Sequence, residues 1–200
     1  TPLAVFQSKL DLLLQQSDMT EEQAEIVQSL YEVTRRLSRL NKNLLLLARI
    51  ENDQYKQMEE MDVARTLKEM LPLLEKLTEG ITVHTDLGAL PVQVEANRTL
   101  LESLINNLII NAVRHNVKDG EIFISVTDHR LTIANTSAEA GLDEQLLFSR
   151  FYRPSEKVQG NGLGLAIAKA ICEYHGWHIH YIYKEGLHRF TVSFDKKEVG

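Results

Sequence analysis

The chain has 200 residues, a mass of 22.8 kDa, 44% hydrophobic and 25% charged residues, and a net charge of −6 at pH 7. This length suits one large domain or two small ones, and the composition is that of a folded globular protein. The acidic balance disfavours a nucleic-acid partner, which would need clustered Lys and Arg. The single cysteine, Cys172, excludes an internal disulfide and fits a reducing compartment.

Membrane and targeting signals are not expected within this sequence. The longest unbroken apolar run, Leu44 to Ala48, is far shorter than the roughly 20 residues of a membrane-spanning helix. No charged, apolar and small-residue series opens the chain, so we expect no signal peptide. Any membrane attachment would therefore come only from segments outside this sequence.

The first part of the chain, residues 1–55, is predicted to form two helices. Thr20 with Gln23 three residues later suits a capping box at the start of the second helix. Along that helix, apolar residues recur in alternating steps of four and three, which is the a/d seam of a coiled coil or four-helix bundle: Ile26, Leu30, Val33, Leu37, Leu40, Leu44 and Leu47.

Two helices of unequal length cannot bury this seam alone. The pattern therefore predicts a homodimer in which two hairpins form a four-helix bundle. The alternative is a hairpin that packs only against its own second domain.

The second part of the chain, residues 56–200, follows a polar linker placed at 52–60. It is predicted to contain helices and mostly antiparallel strands, an α+β arrangement with a helical layer on one face of a mixed sheet. The helices are expected at 62–79, from the cap Asn97 to about residue 115, and at 164–175, and the strands at 81–84, 92–95, 121–127, 131–135, 177–184 and 188–194.

A glycine-rich segment, Gly160-Asn-Gly162-Leu-Gly164-Leu165, leads directly into a predicted helix. Glycines let backbone N–H groups approach an anion closely, and a helix N-terminus favours negative charge. No strand feeds the segment, so it is not a dinucleotide-binding fingerprint, and no Lys-Ser/Thr follows, so it is not a Walker loop. By itself it predicts either a phosphate-binding loop or a flexible loop before a helix.

Asn107 and Asn111 lie inside an otherwise apolar helix. Their i, i+4 spacing places both amides on one helical face. An amide carbonyl is a hard oxygen ligand of the kind that Mg²⁺ accepts together with phosphates and water. The alternative is a pair of buried asparagines that bond to the backbone.

Taken together and in this order, the motifs resemble those of bacterial sensor histidine kinases. The stretch from Asn107 to His115 is similar to the N-box of that family, Phe148–Arg153 to its F-box and Gly160–Lys169 to its G2-box. Leu44–Glu51 resembles the end of the dimerisation helix, and Thr1-Pro2-Leu3 resembles the tail of the H-box.

The resemblance implies a dimerisation and phosphotransfer hairpin followed by an ATP-binding α/β sandwich of the histidine-kinase, gyrase and Hsp90 type. Such a core binds ATP with Mg²⁺ and transfers the γ-phosphoryl to a histidine, and then to an aspartate of a response-regulator receiver domain. It would be the cytoplasmic portion of a membrane-anchored bacterial receptor. The implied metal ligand is Asn111, Arg150 is catalytic, and the implied nucleotide-binding residues are Asn107, Asn111, Arg114, His115, Asn135, Arg153, Gly160, Gly162, Leu163, Gly164 and Leu165. The loop from Phe148 to Leu165 is expected to close over the nucleotide.

Three positions depart from the family pattern. The acceptor histidine would lie four residues before Thr1, so this chain by itself is not expected to phosphorylate itself there. The Thr1 hydroxyl then matches a position associated with dephosphorylating the regulator, the alternative being an ordinary helix residue. Asn135 stands where the family has an aspartate that accepts from the adenine amino group, which keeps a carbonyl acceptor without the charge. Trp177 replaces a glycine and is expected to pack internally.

Two other functions stay open. The first is ATP hydrolysis on the same fold, but those ATPases carry a general-base glutamate where this chain has Asn107, which cannot take up a proton. The second is a dimeric signalling scaffold or regulator phosphatase with a weakened nucleotide site. We also expect His175, His178 and His180 to be surface residues rather than metal ligands, because no cysteine or carboxylate lies at ligand spacing.

Overall fold

The computed structural model of the protein describes residues 2–15, 19–154 and 160–195. The chain forms two compact units, Thr1–Ala48 and Arg49–Gly200. The helices are α1 (Pro2–Leu14), α2 (Glu21–Glu51), α3 (Val63–Leu74), α4 (Arg98–Arg114), α5 (Glu144–Leu147) and α6 (Gly164–His175), with a 3₁₀ turn at Glu75–Leu77. The strands are β1 (Glu59–Asp62), β2 (Thr82–Asp86), β3 (Gln93–Ala96), β4 (Glu121–Thr127), β5 (Arg130–Thr136), β6 (His178–Lys184) and β7 (Leu187–Ser193).

The helical unit begins its long helix as the sequence predicts. The Thr20 N–H donates to Gln23 Oε1 at 3.0 Å, and the Gln23 N–H donates to Thr20 Oγ1 at 3.2 Å, which completes the capping box. Among the described residues, no helix is both long and apolar enough to cross a bilayer.

The predicted apolar seam of α2 is largely exposed in the single chain. Leu47 is only 2% exposed, but five other seam residues lie open to solvent: Ile26, Leu30, Val33, Leu37 and Leu44. An exposed apolar stripe of this length is typical of a surface that takes part in protein–protein contacts.

The second unit contains a five-stranded sheet in the order β2-β4-β5-β7-β6 and a separate antiparallel pair, β1-β3. Within the five-stranded sheet only β2 and β4 are parallel. Helices α4 and α6 pack against each other, with α4 also contacting β5 and α6 contacting β6. The core between helices and sheet is mainly apolar, with six aliphatic residues completely buried: Leu100, Leu104, Leu108, Ile122, Ile133 and Ile167. The predicted α/β sandwich is confirmed.

Two short elements differ from the sequence expectation. β1 begins at Glu59, inside the segment assigned to a linker, and pairs with β3 from Glu59 opposite Ala96. Only Met61 of this strand is buried, so its four residues carry too little alternation to mark a strand. α5 was also not predicted, because one turn is too short to show a helical period.

His175 is buried, so the expectation that it lies at the surface is wrong. Its Nδ1 donates to the Ile171 carbonyl at 2.8 Å, while its Nε2 accepts from the Asn97 N–H at 3.2 Å. The imidazole thereby links the end of α6 to the N-cap of α4, where Asn97 Oδ1 accepts from Leu100 N–H at 3.2 Å. Trp177 stacks on His175 at 4.3 Å and is buried, which confirms its packing role.

Candidate functional site

A single cleft of the second unit collects most of the residues that the sequence analysis selected. Its wall is supplied by α4, by the loop before α6 and the first turn of that helix, and by the facing strands β5 and β7. The selected residues that line it are Asn107, Asn111, Arg114, His115, Asn135, Arg153, Gly160, Gly162, Gly164 and Leu165.

Asn107 and Asn111 differ in how their side chains are held. The Asn107 amide donates from Nδ2 to the carbonyl of Ser103 at 2.8 Å, which fixes its orientation one turn back along α4. Its Oδ1 then faces the start of α6, where a Cβ built on Gly164 would lie only 3.2 Å away. The half-buried Asn111 side chain makes no hydrogen bond to any residue that the structure describes. One amide is therefore structural, and the other is available to a ligand.

Gly164 is the first residue of α6, and the N-cap Leu163 provides no side-chain hydrogen bond to this end. The first backbone N–H groups of a helix lack intrahelical partners and attract anions. Across the cleft, Arg114 Nη1 lies 3.7 Å from the position that a Cβ on Gly160 would take. A helix N-terminus and a guanidinium therefore border the same opening, which suits phosphate oxygens.

Asn135, on β5, also lines the cleft and is fully buried. Its Nδ2 donates to the backbone carbonyls of His115 at 3.1 Å and Thr136 at 2.9 Å. Its Oδ1 is buried and has no hydrogen-bond partner among the residues that the structure describes. A buried acceptor without a partner costs free energy unless a ligand supplies the donor.

Two selected residues that the structure describes, Arg150 and Leu163, do not place their side chains in the cleft. The Arg150 guanidinium pairs instead with the carboxylate of Glu51 in an exposed ion pair. The Leu163 side chain is completely buried in the core and does not line the cleft. Only its backbone is near the site, because its neighbours Gly162 and Gly164 both line the cleft. Thr1 lies outside the described residues, as do residues 155–159 of the loop that was expected to close over the nucleotide.

The cleft also contains residues that the sequence analysis did not select as site residues. His188 on β7 is buried and lines the cleft, with its Nδ1 2.6 Å from the Tyr181 hydroxyl. Burial lowers the pKa of His188, an effect opposed by the Glu139 charge and aided by His115. A polar residue at an inward position of β7, in alternation with Phe190 and Val192, was the signal that could have identified it. The apolar lining comes from Ile110, Leu142, Leu147, Leu165 and Phe190.

Comparison with known proteins assigns the family. Residues 96–198, just over half of the chain, match the family of histidine kinase-, DNA gyrase B- and HSP90-like ATPases. The chain belongs to this family.

The curated relatives of the chain are sensor proteins and sensor histidine kinases. The chain is 32% identical to the heme sensor protein HssS of Staphylococcus saprophyticus over 98% of its own length, and 29% identical to the sensor histidine kinase HprS of Escherichia coli K12 over 96%. It spans 44% of the length of each of these relatives. The histidine kinase AdeS of Acinetobacter baumannii has the same fold, with a TM-score of 0.66, 24% identity and coverage of 98% of this chain and 96% of that one. The resemblance to sensor histidine kinases is confirmed.

The cleft chemistry fits a nucleotide with a divalent cation. Asn135 supplies a buried acceptor, and Arg114 and the start of α6 supply positive potential in the same cleft. Asn111 supplies one neutral oxygen beside the Arg114 charge, which is too little to hold Mg²⁺ without further ligands. The residues therefore suit Mg²⁺ only when phosphate oxygens complete its shell.

Proposed function

We propose that this chain is the dimerising and ATP-binding core of a sensor histidine kinase. In this function it binds ATP with Mg²⁺ and delivers the γ-phosphoryl to a histidine expected four residues before Thr1. From there the phosphoryl passes to an aspartate in the receiver domain of a response regulator. The observation that supports this most directly concerns the Asn111 amide, which makes no hydrogen bond to a described residue. It lines the same cleft as the oriented Asn107 and the glycine-rich start of α6.

The adenine end of the ATP site is assigned to Asn135. Its Oδ1 accepts from the exocyclic amino group of adenine, which satisfies the buried acceptor. The bound base lies among the apolar side chains of Ile110, Leu142 and Phe190. The replacement of the family aspartate by asparagine removes a charge but keeps this acceptor, since the amide nitrogen is occupied by two carbonyls.

The phosphate end is assigned to the N-terminus of α6 together with Arg114 and Arg153. The backbone N–H groups of Gly162 and Gly164 donate to phosphate oxygens, and the guanidinium groups neutralise their charge. Asn111 would hold Mg²⁺ through Oδ1. When bound, the metal neutralises charge between phosphates and keeps them in a fixed geometry for transfer.

Phosphoryl transfer is favoured over hydrolysis by Asn107. An amide cannot accept a proton from water at neutral pH, and here Nδ2 is already engaged by the Ser103 carbonyl. The side chain therefore positions the α6 start rather than activating water. A scaffold with a decayed site is disfavoured, because the unpartnered Oδ1 of Asn135 would be an uncompensated cost.

The dimer is assigned to α1 and α2. The exposed a/d residues of α2 would be covered by the same surface of a second copy, which gives a symmetric four-helix bundle. The core acts in the cytoplasm, where ATP is available and the lone Cys172 stays reduced. Membrane anchoring would come from segments beyond this sequence. Arg150 remains a candidate catalytic residue, but its ion pair with Glu51 must break before its guanidinium can act. Thr1 remains a candidate for the reaction that dephosphorylates the regulator.

The test has two stages. Calorimetric titration measures ATP affinity with and without Mg²⁺, for the chain and for Asn111→Ala, and we expect a Mg²⁺-dependent gain that the variant loses. A chain extended upstream to include the acceptor histidine is then incubated with γ-labelled ATP. The expected product carries an acid-labile, base-stable phosphoramidate and passes the label to a receiver domain. Binding without any labelled protein would instead support the scaffold.

A further inference from the structure

Two neighbouring residues in the wall of the cleft each carry a buried polar atom that has no hydrogen-bond partner among the described residues. The atoms are Oδ1 of Asn135 and Nε2 of His188, and both residues are less than 4% exposed. Asn135 on β5 and His188 on β7 are register partners in an antiparallel pair. Side chains at such positions point to the same face of the sheet with Cβ atoms about 5 Å apart. The two residues therefore form one polar patch, with the apolar Leu142 and Phe190 also in the lining of the cleft.

Asn135 presents an acceptor at this patch. Its amide nitrogen donates to the carbonyls of His115 and Thr136 at 3.1 and 2.9 Å. The reverse orientation would place an oxygen against both carbonyl oxygens, which is repulsive. The free atom is thus the oxygen.

His188 presents a donor at the same patch. The Leu142 N–H donates to the Tyr181 oxygen at 3.1 Å, so the hydroxyl proton is directed to His188 Nδ1, 2.6 Å away. Burial lowers the pKa of His188, so its ring is neutral and carries one proton. With Nδ1 accepting, that proton is on Nε2, which faces no protein acceptor among the described residues.

We propose that His188 is a second base-reading residue, whose Nε2–H donates to the ring nitrogen of adenine adjacent to the amino group that Asn135 binds. This proposal rests on the proposed ATP-binding function and extends it. Adenine carries an amino donor beside a ring-nitrogen acceptor, which complements an acceptor beside a donor. Guanine places a carbonyl oxygen where adenine has the amino group, and that oxygen would face Asn135 Oδ1. The pair therefore makes the site selective for adenine.

The pair also accounts for Tyr181 as a positioning residue. The Tyr181 hydroxyl fixes the His188 tautomer through Nδ1 and is itself fixed by the Leu142 N–H. Removing this hydroxyl frees the ring to place its proton on Nδ1. Nε2 would then be an acceptor that faces the acceptor nitrogen of the base.

The experiment compares nucleotides on the unaltered chain and on variants by calorimetry with Mg²⁺ present. The ligands are ATP, GTP, 1-deaza-ATP and 7-deaza-ATP, in which one ring nitrogen is replaced by C–H. The variants are His188→Phe and Tyr181→Phe, with the exposed His180→Phe on β6 as the matched control. Thermal unfolding of each variant verifies that it is folded.

We expect one deaza analogue to bind the unaltered chain about tenfold more weakly than ATP, the ordinary worth of one hydrogen bond. His188→Phe should bind ATP and that analogue with equal affinity. Tyr181→Phe should reduce the affinity difference between ATP and the analogue, and His180→Phe should leave that difference unchanged. Unreduced binding of both analogues by the unaltered chain overturns the His188 contact while leaving ATP binding established, and that result does not depend on any variant folding. Absence of ATP binding overturns the proposed function and this inference together.

Discussion

The backbone carbonyl of Gly162 accepts the N–H of Phe151 at 2.8 Å, which ties the two ends of the loop that precedes α6. Gly162 is left-handed, with φ of +64°, and a Cβ there would lie 2.6 Å from the Phe151 carbonyl carbon. Only glycine fits at this closure, because the obstructing atoms are backbone and cannot rotate away.

The closure predicts a difference between two left-handed glycines. Gly162→Ala should force the two ends of the loop apart and weaken Mg-ATP binding by more than about tenfold, with a left-handed penalty of roughly 1–2 kcal/mol in unfolding free energy. Gly80→Ala is the matched control, because Gly80 also has a positive φ, +79°, and no atom lies within 4 Å of its Cβ position. Calorimetric titration of both variants is the measurement. Equal affinity of the two would show that the closure does not shape the site.

Asn111→Ala is expected to abolish the Mg²⁺-dependent part of ATP affinity, a loss of about tenfold or more, because the metal loses its protein oxygen. Affinity for ATP without Mg²⁺ should change little, since the contacts of Asn135 and α6 remain. Asn111→Asp should restore Mg²⁺ dependence. Asn106→Ala, on the same helix but outside the cleft lining, serves as the control. Equal loss with and without Mg²⁺ would contradict the metal assignment.

Leu37→Glu should dissociate the proposed dimer, because a buried carboxylate in the α2 seam is not compensated. Leu37 is 47% exposed in the single chain, so the monomer itself should tolerate the substitution. Sedimentation over a concentration series measures the dimer, and Mg-ATP affinity of the second unit should be unchanged. Ser29→Glu adds the same charge to an exposed position outside the seam and should keep the dimer. A concentration-independent monomer for the unaltered chain would refute the bundle.

The longer helices and strands were predicted well from the sequence, because each spans several repeats of its hydrophobic pattern. The helix from the Asn97 cap and the strand at 121–127 are observed as α4 and β4. The sequence analysis missed β1 and α5, where four residues provide neither two periods of alternation nor a full amphipathic turn. Such elements form because the rest of the fold supplies their partners, as Ala96 does for Glu59.

The parts of the candidate site that depend on local sequence could be predicted. The parts that depend on side-chain contacts between residues distant in the chain could not. Gly162 and the Asn107–Asn111 spacing can be recognised from a few neighbouring residues. The pairing of Arg150 with Glu51 joins residues far apart in the chain, and the burial of His175 depends on Asn97 and Trp177. His188 becomes a site residue only because β7 pairs with β5, which places it beside Asn135.

Stability of the second unit is expected to fall as the pH drops below about 6.5, the ordinary histidine pKa. Burial lowers the folded-state pKa of both His188 and His115. For His115, the Glu139 charge raises the pKa in opposition to burial, and the Arg114 charge lowers it further. The unfolded chain therefore binds protons first on acidification, and the loss continues until the pH passes the lowered pKa values. The slope of unfolding free energy against pH is proportional to the number of protons taken up on unfolding, and His188→Gln should reduce that number by up to about one. Denaturant unfolding between pH 5 and 7 measures it, with the exposed His180→Gln as control, and an unchanged slope in His188→Gln would count against a buried neutral His188.

Asn135→Asp, which restores the aspartate of the family pattern, should destabilise this chain at neutral pH by about 1–3 kcal/mol. The Asn135 amide nitrogen donates to the carbonyls of His115 and Thr136, and a carboxylate oxygen in its place would face both. The folded-state pKa of this new carboxyl would be raised, because the protonated form can still donate to one carbonyl. The pH-dependent part of the deficit should therefore be absent below the ordinary aspartate pKa of about 3.9, grow as the pH rises toward the raised value and stay constant above it. Denaturant unfolding of Asn135→Asp, compared with Asn106→Asp outside the cleft, gives the measurement, and equal stability of the two variants at pH 7 would mean that the surroundings of residue 135 accept a charge.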